Sequence, residues 1–556
     1  MIMRFRQDYL SILSRTAISP YVMALLLAVW LAVFGNIPLW RSLAYVAAPV
    51  WKQNLWLGGF ALLLVEISSL LLILVAWPRL FKPLATLLLM TAGLASYFMT
   101  TYGVVIDPGM ATNVFDTDMA ESLDLLSWAM IQSVAIVSIP PIWFLWSRSV
   151  QWKPFFRQAA YNLLAASITL AIIVLTVLFF YQSLTSVMRS HPDFRYQINP
   201  ASSVYSAAFV VHQRWFSASR EFHQVATDAH LGIDVDGLPS LMVLVVGETA
   251  RADHFSLAGY SRQTNPVMER WQAEQGLVYF SSVSSCGTST ASSLPCMFSP
   301  LGRRSGGDGH AGEYESVLDV LKRAGVSVLW LDNQSGCKGV CDRVQSMKHK
   351  DLCDQDECKD EIMLANMKSL YKDASTESEP RKTLVVMHQM GSHGPAYYKR
   401  TTPEYKKFLP ECTSNVLSEC DSQKVINAYD NTIFYTDFFL GQVLEYLKGL
   451  ADEGRASTAM LYVSDHGESL GENGIYLHGL PYSLAPSSQT HVPMMVWLSK
   501  QEVVQSGFDL DCLKRHRDKP LSHDNIFHSL IGFMGVSTSE YQEDMDMFSS
   551  CHLGAK

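Results

Sequence analysis

Long stretches without charged side chains dominate the first third of the chain, and they limit its possible folds more than any other feature. Residues 16–40, 83–106, 125–147 and 158–188 contain no Asp, Glu, Lys or Arg, and residues 53–77 contain only Glu66. Each stretch is long enough for the roughly 20 residues that a helix needs to cross a bilayer core. The sequence therefore predicts a five-helix transmembrane domain over residues 1–188, followed by a soluble part.

Basic residues give the orientation of these predicted spans. They concentrate on the N-terminal arm and on the links after the second and fourth spans, at Arg4, Arg6, Arg15, Arg79, Lys82, Arg148, Lys153 and Arg157. The opposite links contain only Arg41 and Lys52. Because Lys and Arg accumulate on the cytoplasmic side of a membrane, we expect a cytoplasmic N-terminus and a soluble part on the other side.

Charge also limits the possible partners of the soluble part. The whole chain has a net charge of −9, and the acidic excess lies after residue 182. Polynucleotides are attracted to basic surfaces. We therefore expect no nucleic-acid partner.

The cysteines indicate an oxidising compartment. All ten lie in the soluble part, mostly as close neighbours: Cys286 and Cys296, Cys337 and Cys341, Cys353 and Cys358, Cys412 and Cys420, then Cys512 and Cys551. An even number confined to one region is typical of a disulfide set. Free core thiols or a zinc site are the alternative, but no CxxC pair occurs. We expect nearest-neighbour pairing, which sequence alone does not fix.

Strand and helix patterns alternate after Pro239. Short apolar runs rich in β-branched residues occur at 241–246, 326–331, 383–387 and 458–463, with helical stretches such as 314–324 and 437–449 between them. This alternation predicts an α/β domain with a largely parallel sheet over residues 239–556. Residues 189–238, with a candidate helix at 202–216, are interpreted as a connector near the membrane surface.

Metal-binding side chains follow the predicted strands directly. Glu248 follows the first strand, and Asp465 and His466 follow the last. Functional sites in open α/β sheets form beyond the carboxyl ends of the strands, and carboxylate and imidazole groups suit zinc. The sequence therefore predicts a zinc site there. His393 and His478 are candidates for a second metal or for proton transfer.

A nucleophile is expected within the Ser/Thr-rich segment enclosed by Cys286 and Cys296. Its hydroxyl groups belong to Thr288, Ser289, Thr290, Ser292 and Ser293. They lie at or near a predicted helix start, where unpaired backbone N–H groups favour a phosphate or an alkoxide. The spacing does not select one of the hydroxyls, and a capped loop without function fits it equally well.

Several strings together resemble the lipid A phosphoethanolamine transferases, which include the mobile colistin-resistance enzymes. These strings are VGETAR (246–251), CGTSTA (286–291), GSHGP (391–395), YDNTIFYTD (429–437), SDHGESLGE (464–472) and THVPM (490–494). The resemblance covers essentially the whole chain and implies five spans, a connector and an alkaline-phosphatase/sulfatase-like periplasmic domain. A sulfatase itself would need Cys/Ser-x-Pro-x-Arg, which residues 286–290 lack.

The resemblance also implies roles for individual residues. It implies that Thr290 is the nucleophile and a zinc ligand together with Glu248, Asp465 and His466. It assigns the second substrate or metal to His393, His478, Lys338 and Gln334, although some relatives have Asn at the position of Gln334. It further implies that Asn113, Thr117 and Glu121, spaced to share one helix face, contact the donor lipid headgroup. We know no family role for Glu66, which we expect to be neutral within its span.

The implied function is transfer of phosphoethanolamine from phosphatidylethanolamine to a lipid A phosphate, with polymyxin resistance as its consequence. The enzyme would be an inner-membrane monomer with its catalytic domain in the periplasm. The alternative acceptor is a Kdo or heptose sugar of the lipopolysaccharide core. A transporter would need more ionisable side chains than Glu66 within its spans. A catalytically inactive sensor would lack the cluster around Thr290.

Overall fold

The computed structural model describes residues 17–46, 55–116, 119–212, 215, 222–232, 237–305, 310–352, 358–372 and 381–552. The chain forms two compact units. The first comprises Met1–Val114 and Leu126–Phe216, and the second comprises Phe115–Leu125 and Ser217–Lys556. The second unit thus includes a short segment that lies, in sequence, between two helices of the first.

The described secondary structure of the first unit is helical, apart from an isolated β-bridge between Ile18 and Val150. Its α-helices are Pro20–Trp30, Ile37–Val46, Leu55–Leu74, Phe81–Tyr102, Pro108–Asp116, Trp128–Ser147, Phe155–Phe179, Tyr181–Ser190 and Ala201–Val211, with a π-helix at Leu31–Gly35 and a 3₁₀-helix at Pro192–Gln197. Four of them, Leu55–Leu74, Phe81–Tyr102, Trp128–Ser147 and Phe155–Phe179, are long and apolar enough to cross a membrane. They account for four of the five predicted spans.

The remaining predicted span is bent. The helices Pro20–Gly35 and Ile37–Ala44 meet at 55° and give a fifth crossing only if they are counted together. Side-chain donors satisfy the carbonyls at this break: Asn36 donates to Leu31 O at 2.8 Å, and Trp40 donates to Ala32 O at 2.7 Å. Asn36 also exchanges two hydrogen bonds of 2.8 Å with the backbone of Asn199. Backbone groups that lose their helical hydrogen bonds in an apolar environment need such partners. The bend is not visible in the sequence, because the apolar stretch continues across it.

The second unit is built on a seven-stranded sheet. In chain order its strands are β1 (Ser240–Gly247), β2 (Val278–Phe280), β3 (Ser327–Asp332), β4 (Gln345–Met347), β5 (Lys382–His388), β6 (Ser457–Ser464) and β7 (Met494–Leu498). Their order across the sheet is β2-β7-β6-β1-β5-β3-β4. Strand β7 runs antiparallel to both neighbours, whereas the other pairs are parallel. The four strands predicted from sequence are β1, β3, β5 and β6.

Helices cover both faces of this sheet. Leu241, Val243 and Val245 of β1 pack into one apolar core with helices Pro266–Gln275 and Ser422–Asp452. The alternate residues Met242, Leu244 and Val246 pack into the other core. A strand buried on both sides is typical of a parallel α/β sheet. The predicted helix 437–449 is the C-terminal half of a longer one, Ser422–Asp452.

The remaining elements of the second unit are short. Its other α-helices are Met119–Leu125, Thr290–Met297, Val317–Ala324, His349–Leu352, Glu361–Lys372, Ser487–Thr490, Lys500–Ser506, Leu510–His516 and Asp524–Phe533. Two-residue strands pair His230–Leu231 with Val536–Ser537, Ser469–Leu470 with Tyr476–Leu477, and Val283–Ser284 with Leu521–Ser522.

Disulfides join the neighbours that the sequence suggests. The structure pairs Cys286 with Cys296, Cys337 with Cys341, Cys412 with Cys420, and Cys512 with Cys551. Cys358 is also disulfide-bonded, whereas its expected partner Cys353 lies outside the described residues. Four of the five expected pairs are therefore confirmed.

Candidate active site

Two central strands bring the predicted metal ligands together. Strands β1 and β6 are parallel neighbours, with Gly247 opposite Ser464. Glu248 follows β1, and Asp465 and His466 follow β6, so all three emerge at one edge of the sheet. One ligand atom from each lies within 4.8 Å of the others, and all three side chains are fully buried. The predicted convergence at the carboxyl ends of the strands is thus present.

Thr290 faces this cluster from the start of the helix Thr290–Met297. Its Oγ1 donates to the carboxylate of Glu248, with 3.1 Å to each oxygen, and lies 3.5 Å from His466 Nε2. Two other candidate hydroxyls hold the backbone instead: Thr288 Oγ1 donates to Leu480 O, and Ser293 Oγ donates to Asp465 O. The hydroxyls of Ser289 and Ser292 contact each other. The structure thus distinguishes Thr290 where spacing did not.

The chemistry of the donor set fits a divalent cation. Asp465 Oδ2 is buried and has no hydrogen-bond partner, which is costly for a carboxylate oxygen. Burial and the charge of Glu248 raise the pKa of Asp465 to about 6. Burial disfavours the charged imidazolium of His466, yet Asp465 and Glu248 raise its pKa to about 9. Two carboxylates and a hydroxyl beside one imidazole form a set of oxygen and nitrogen ligands that suits zinc.

Two further histidines lie beside the cluster. The His478 ring centroid is 4.4 Å from that of His466 and 5.6 Å from that of His393. The loop that carries His393 is fixed to the end of β1, because Ser392 N donates to Glu248 O at 3.0 Å. Burial lowers the pKa of His393 to about 3, so its imidazole is neutral near pH 7. Both histidines predicted from sequence therefore lie next to the candidate metal ligands.

Sequence reasoning assigned no role to three side chains that support this site. His478 Nδ1 lies 3.2 Å from Glu468, whose other oxygen, Oε1, is buried without a partner. His388 lies behind Glu248, with its Nε2 at 3.8 Å from Glu248 and its Nδ1 at 3.1 Å from Asp332. Glu468 lies within the SDHGESLGE string, and His388 ends β5 at the same sheet edge, so their positions already carried a signal.

Gln334 and Lys338 make contacts mainly within their own loop, which follows β3. Lys338 Nζ donates to Ser335 Oγ at 2.9 Å, and the side chain of Gln334 accepts a hydrogen bond from Ser335 N. The backbone N–H of Gln334 also donates to Asp332, the partner of His388. Through Asp332 and His388, this loop is connected to Glu248.

The predicted headgroup face is described only in part. Asn113 lies in the helix Pro108–Asp116, Glu121 lies in Met119–Leu125, and Thr117 falls outside the described residues. Asn113 belongs to the first unit, and Glu121 belongs to the second. A single helix face through all three residues stays a prediction.

Comparison with known proteins finds similar membrane-bound transferases. A sulfatase family model matches residues 240–536, and a model described as phosphoethanolamine transferase EptA/EptB matches residues 64–215. The chain is 35% identical to phosphoethanolamine transferase EptA of Salmonella typhimurium, covering 97% of this chain and 98% of that one. It is 36% identical to phosphatidylethanolamine transferase Mcr-1 of Escherichia coli, over 96% and 98% of the two chains.

Two further similarities extend this result. A Kdo(2)-lipid A phosphoethanolamine 7''-transferase of Salmonella typhimurium is 26% identical over 83% of each chain. The solved structure of lipooligosaccharide phosphoethanolamine transferase A from Neisseria meningitidis matches with a TM-score of 0.90 and 30% identity, covering 97% of this chain and all of that one. The chain belongs to the phosphoethanolamine transferase family. It is a transferase with a membrane-spanning N-terminal region and a sulfatase-like domain.

Proposed function

We propose that the protein transfers phosphoethanolamine from phosphatidylethanolamine to a lipid A phosphate, with zinc as its cofactor and a covalent phosphothreonine-type intermediate on Thr290. The observation that carries this proposal is the position of the Thr290 hydroxyl, which is buried, faces Glu248 and lies beside Asp465 and His466. A hydroxyl needs a nearby group to draw off its proton before it becomes a good nucleophile.

In the first half-reaction, Thr290 Oγ1 attacks the phosphorus of phosphatidylethanolamine and diacylglycerol leaves. Thr290 donates its hydrogen bond toward Glu248, so its proton is directed at a carboxylate. Glu248, Asp465, His466 and Thr290 would hold the zinc, which lowers the pKa of a bound hydroxyl and offsets phosphate charge. A neutral threonine hydroxyl thereby becomes reactive at neutral pH.

The two neighbouring histidines differ in their surroundings. His393 is neutral because burial lowers its pKa. The negative charge of a bound phosphate would raise that pKa again, which suits the role of proton acceptor. His478 Nδ1 lies 3.2 Å from the Glu468 carboxylate, which orients its imidazole.

We infer that, in the first half-reaction, Glu248 receives the Thr290 proton and His478 gives a proton to the leaving diacylglycerol oxygen. In the second half-reaction, His393 accepts the proton that the attacking lipid A phosphate releases, and Thr290 Oγ1 takes its own proton back from Glu248. A second zinc held by the two histidines is the alternative arrangement. Lys338 would offset phosphate charge nearby, and Gln334 would help to hold the second substrate.

In the second half-reaction, a lipid A phosphate attacks the phosphorus on Thr290 and takes the phosphoethanolamine group. The added amine reduces the negative charge available to cationic polymyxins. The identity to transferases named EptA and Mcr-1 favours lipid A as acceptor. The relative named a Kdo(2)-lipid A 7''-transferase supports a core sugar as the second candidate, because the Thr290 cluster serves only the donor half.

The proposed setting is the bacterial inner membrane, with a cytoplasmic N-terminus and a periplasmic catalytic domain. Residues 1–188 would form the transmembrane domain, residues 239–556 would form the catalytic domain, and residues 189–238 would connect the two at the membrane surface. The donor would enter from the outer leaflet, with Asn113, Thr117 and Glu121 at its headgroup. We propose a monomer.

Mass spectrometry of lipopolysaccharide tests this proposal directly. Lipid A and core oligosaccharide are isolated separately from cells that express the wild-type protein or Thr290→Ala. Phosphoethanolamine on lipid A in the wild type alone supports the proposal. If phosphoethanolamine appears only on the core oligosaccharide, the acceptor is a core sugar and not lipid A. If neither fraction is modified, the proposed function is wrong.

A further inference from the structure

A buried ionic contact ties the segment Phe115–Leu125 to the rest of the second unit. Asp124 lies on the helix Met119–Leu125, and its side chain is only 6% exposed. Its carboxylate accepts hydrogen bonds from Lys399 Nζ and, at 2.9 Å, from Arg400 Nη2. Asn415 Nδ2 also donates to the backbone carbonyl of Asp124. Three residues of the sulfatase-like domain thus converge on one residue of this short segment.

The same guanidinium also holds the loop that carries His393. Arg400 Nε donates to the backbone carbonyl of His393 at 2.9 Å, and the Arg400 side chain is 5% exposed. A guanidinium is planar and rigid, so its separate N–H groups fix the positions of two acceptors relative to each other. Arg400 therefore connects Asp124 directly to the backbone of His393.

The simpler explanation of the Asp124–Arg400 contact is an ion pair that only stabilises the position of a loop. Exposed pairs of this kind contribute little to stability. Here both side chains are buried, and the loss of Arg400 would leave the Asp124 carboxylate to Lys399 alone. An Arg400 side chain that only stabilised the loop, however, would not need a second hydrogen bond to the His393 carbonyl. That bond, made by the same guanidinium, is the observation that a loop-fastening role leaves unexplained.

We propose that Arg400 is a positioning residue that sets the His393 imidazole according to the position of the segment Phe115–Leu125, through Asp124. The segment includes Glu121, which we expect at the donor headgroup. When Asp124 is in place, Arg400 holds the His393 backbone in register with His478. This inference rests on the proposed role of His393, and it adds two residues to which the reaction assigned no part.

Steady-state kinetics with two donors separate this role from fastening. The full-length enzyme is measured on phosphatidylethanolamine in vesicles and on a short-chain, water-soluble analogue. Variants are Asp124→Asn, Arg400→Lys and the double variant. We expect kcat to fall by about 10- to 100-fold on both donors, the scale of a misplaced catalytic group. The double variant should lose no more than the worse single, because the two residues act as one unit.

Arg323→Gln is the matched control. Arg323 pairs with the buried Glu315, and this pair lies outside the site. This change should lower the melting temperature while kcat stays at the wild-type value. If Asp124→Asn behaves like Arg323→Gln, with kcat on the soluble analogue unchanged, the contact is a fastener and the proposal is overturned. If Asp124→Asn does not fold, Arg400→Lys decides, because it keeps a positive charge beside Asp124.

Hydrogen exchange keeps this test independent of the proposed function. Amides of residues 389–396 are followed in the resting full-length protein. Faster exchange in both single variants, but not in Arg323→Gln, supports the coupling even if phosphatidylethanolamine is not the donor. Unchanged exchange together with unchanged kcat on the analogue would overturn it. Failure of the wild type to use phosphatidylethanolamine would count against the proposed function alone.

Discussion

Two groups of buried polar side chains, one in each unit, have different roles. In the first unit, Asn36 and Asn199 hold the backbone where a helix breaks, and their polar atoms are engaged with carbonyls and amides. In the second unit, Asp465 Oδ2, His388 Nε2 and Glu468 Oε1 are buried without a hydrogen-bond partner. All three lie at or beside the Thr290 cluster.

Whether a buried polar group has a hydrogen-bond partner helps to distinguish a structural role from a role in binding or catalysis. Burying a polar group costs free energy unless a partner compensates, so a satisfied side chain needs no further explanation. A group of unsatisfied carboxylate and imidazole atoms at one sheet edge indicates that something outside the chain completes it. Zinc and a phosphate-bearing substrate are the partners that we propose.

Removal of a metal ligand should have the largest effect. Changes to residues that only support a ligand cost about 10- to 100-fold in affinity or activity, so Asp465→Asn or His466→Ala should lose more than about 100-fold in activity. Zinc content should fall with activity. The matched control is His254→Gln, since His254 is buried and pairs with Asp430 outside the donor set. Metal analysis that finds full zinc in Asp465→Asn and His466→Ala would contradict the site.

The structural role in the first unit predicts a smaller effect of another kind. Asn36→Ala leaves Leu31 O and the backbone of Asn199 without their partner. Each unsatisfied buried group costs about 1–3 kcal/mol, so detergent-solubilised protein should unfold at a lower temperature. Zinc content should not change. Ser42→Ala, which affects a half-buried hydroxyl nearby, should change stability less. An unaltered melting temperature for Asn36→Ala would show that the bend does not depend on this amide.

The smallest expected effect concerns the donor headgroup. A single ammonium–carboxylate pair contributes about 0.2–1 kcal/mol when it is partly exposed. Glu121→Ala should therefore reduce use of phosphatidylethanolamine in membranes by a few-fold at most, unless shielding strengthens the pair. Its effect on a short-chain, water-soluble analogue should be smaller still. Equal rates for Glu121→Ala and the wild type on native lipid vesicles would remove Glu121 from the donor site.

Much of the fold was predictable from the sequence because membrane helices need long uncharged stretches and buried parallel strands need short apolar runs. Stretches with no charged residue, or with Glu66 alone, located four helices that are long and apolar enough to cross a membrane, and short apolar runs located β1, β3, β5 and β6. The bend at Asn36 was missed because the apolar stretch continues across it, and because part of its bonding is with Asn199, more than 160 positions away in the chain. Similarly, β2, β4 and β7 were not predicted, because short or antiparallel strands give weaker patterns.

The site was predictable to the extent that strand ends determine position. Glu248, Asp465 and His466 converge because their strands are parallel and adjacent. The choice of Thr290 among neighbouring hydroxyls came from the resemblance, because hydroxyl spacing does not show which groups hydrogen-bond to backbone carbonyls. The contact between Asp124 and Arg400 joins distant segments, and such pairs leave no local pattern in the sequence.

The most direct test of this account is the identity of the covalent intermediate. The full-length enzyme is mixed with phosphatidylethanolamine, quenched in acid, and digested for peptide mass spectrometry, beside Thr290→Ala and the control Thr288→Ala. We predict that phosphoethanolamine is found on Thr290 in the wild type and in Thr288→Ala, and that Thr290→Ala gives neither adduct nor transfer. An adduct on another residue, or near wild-type transfer by Thr290→Ala, would contradict the central claim.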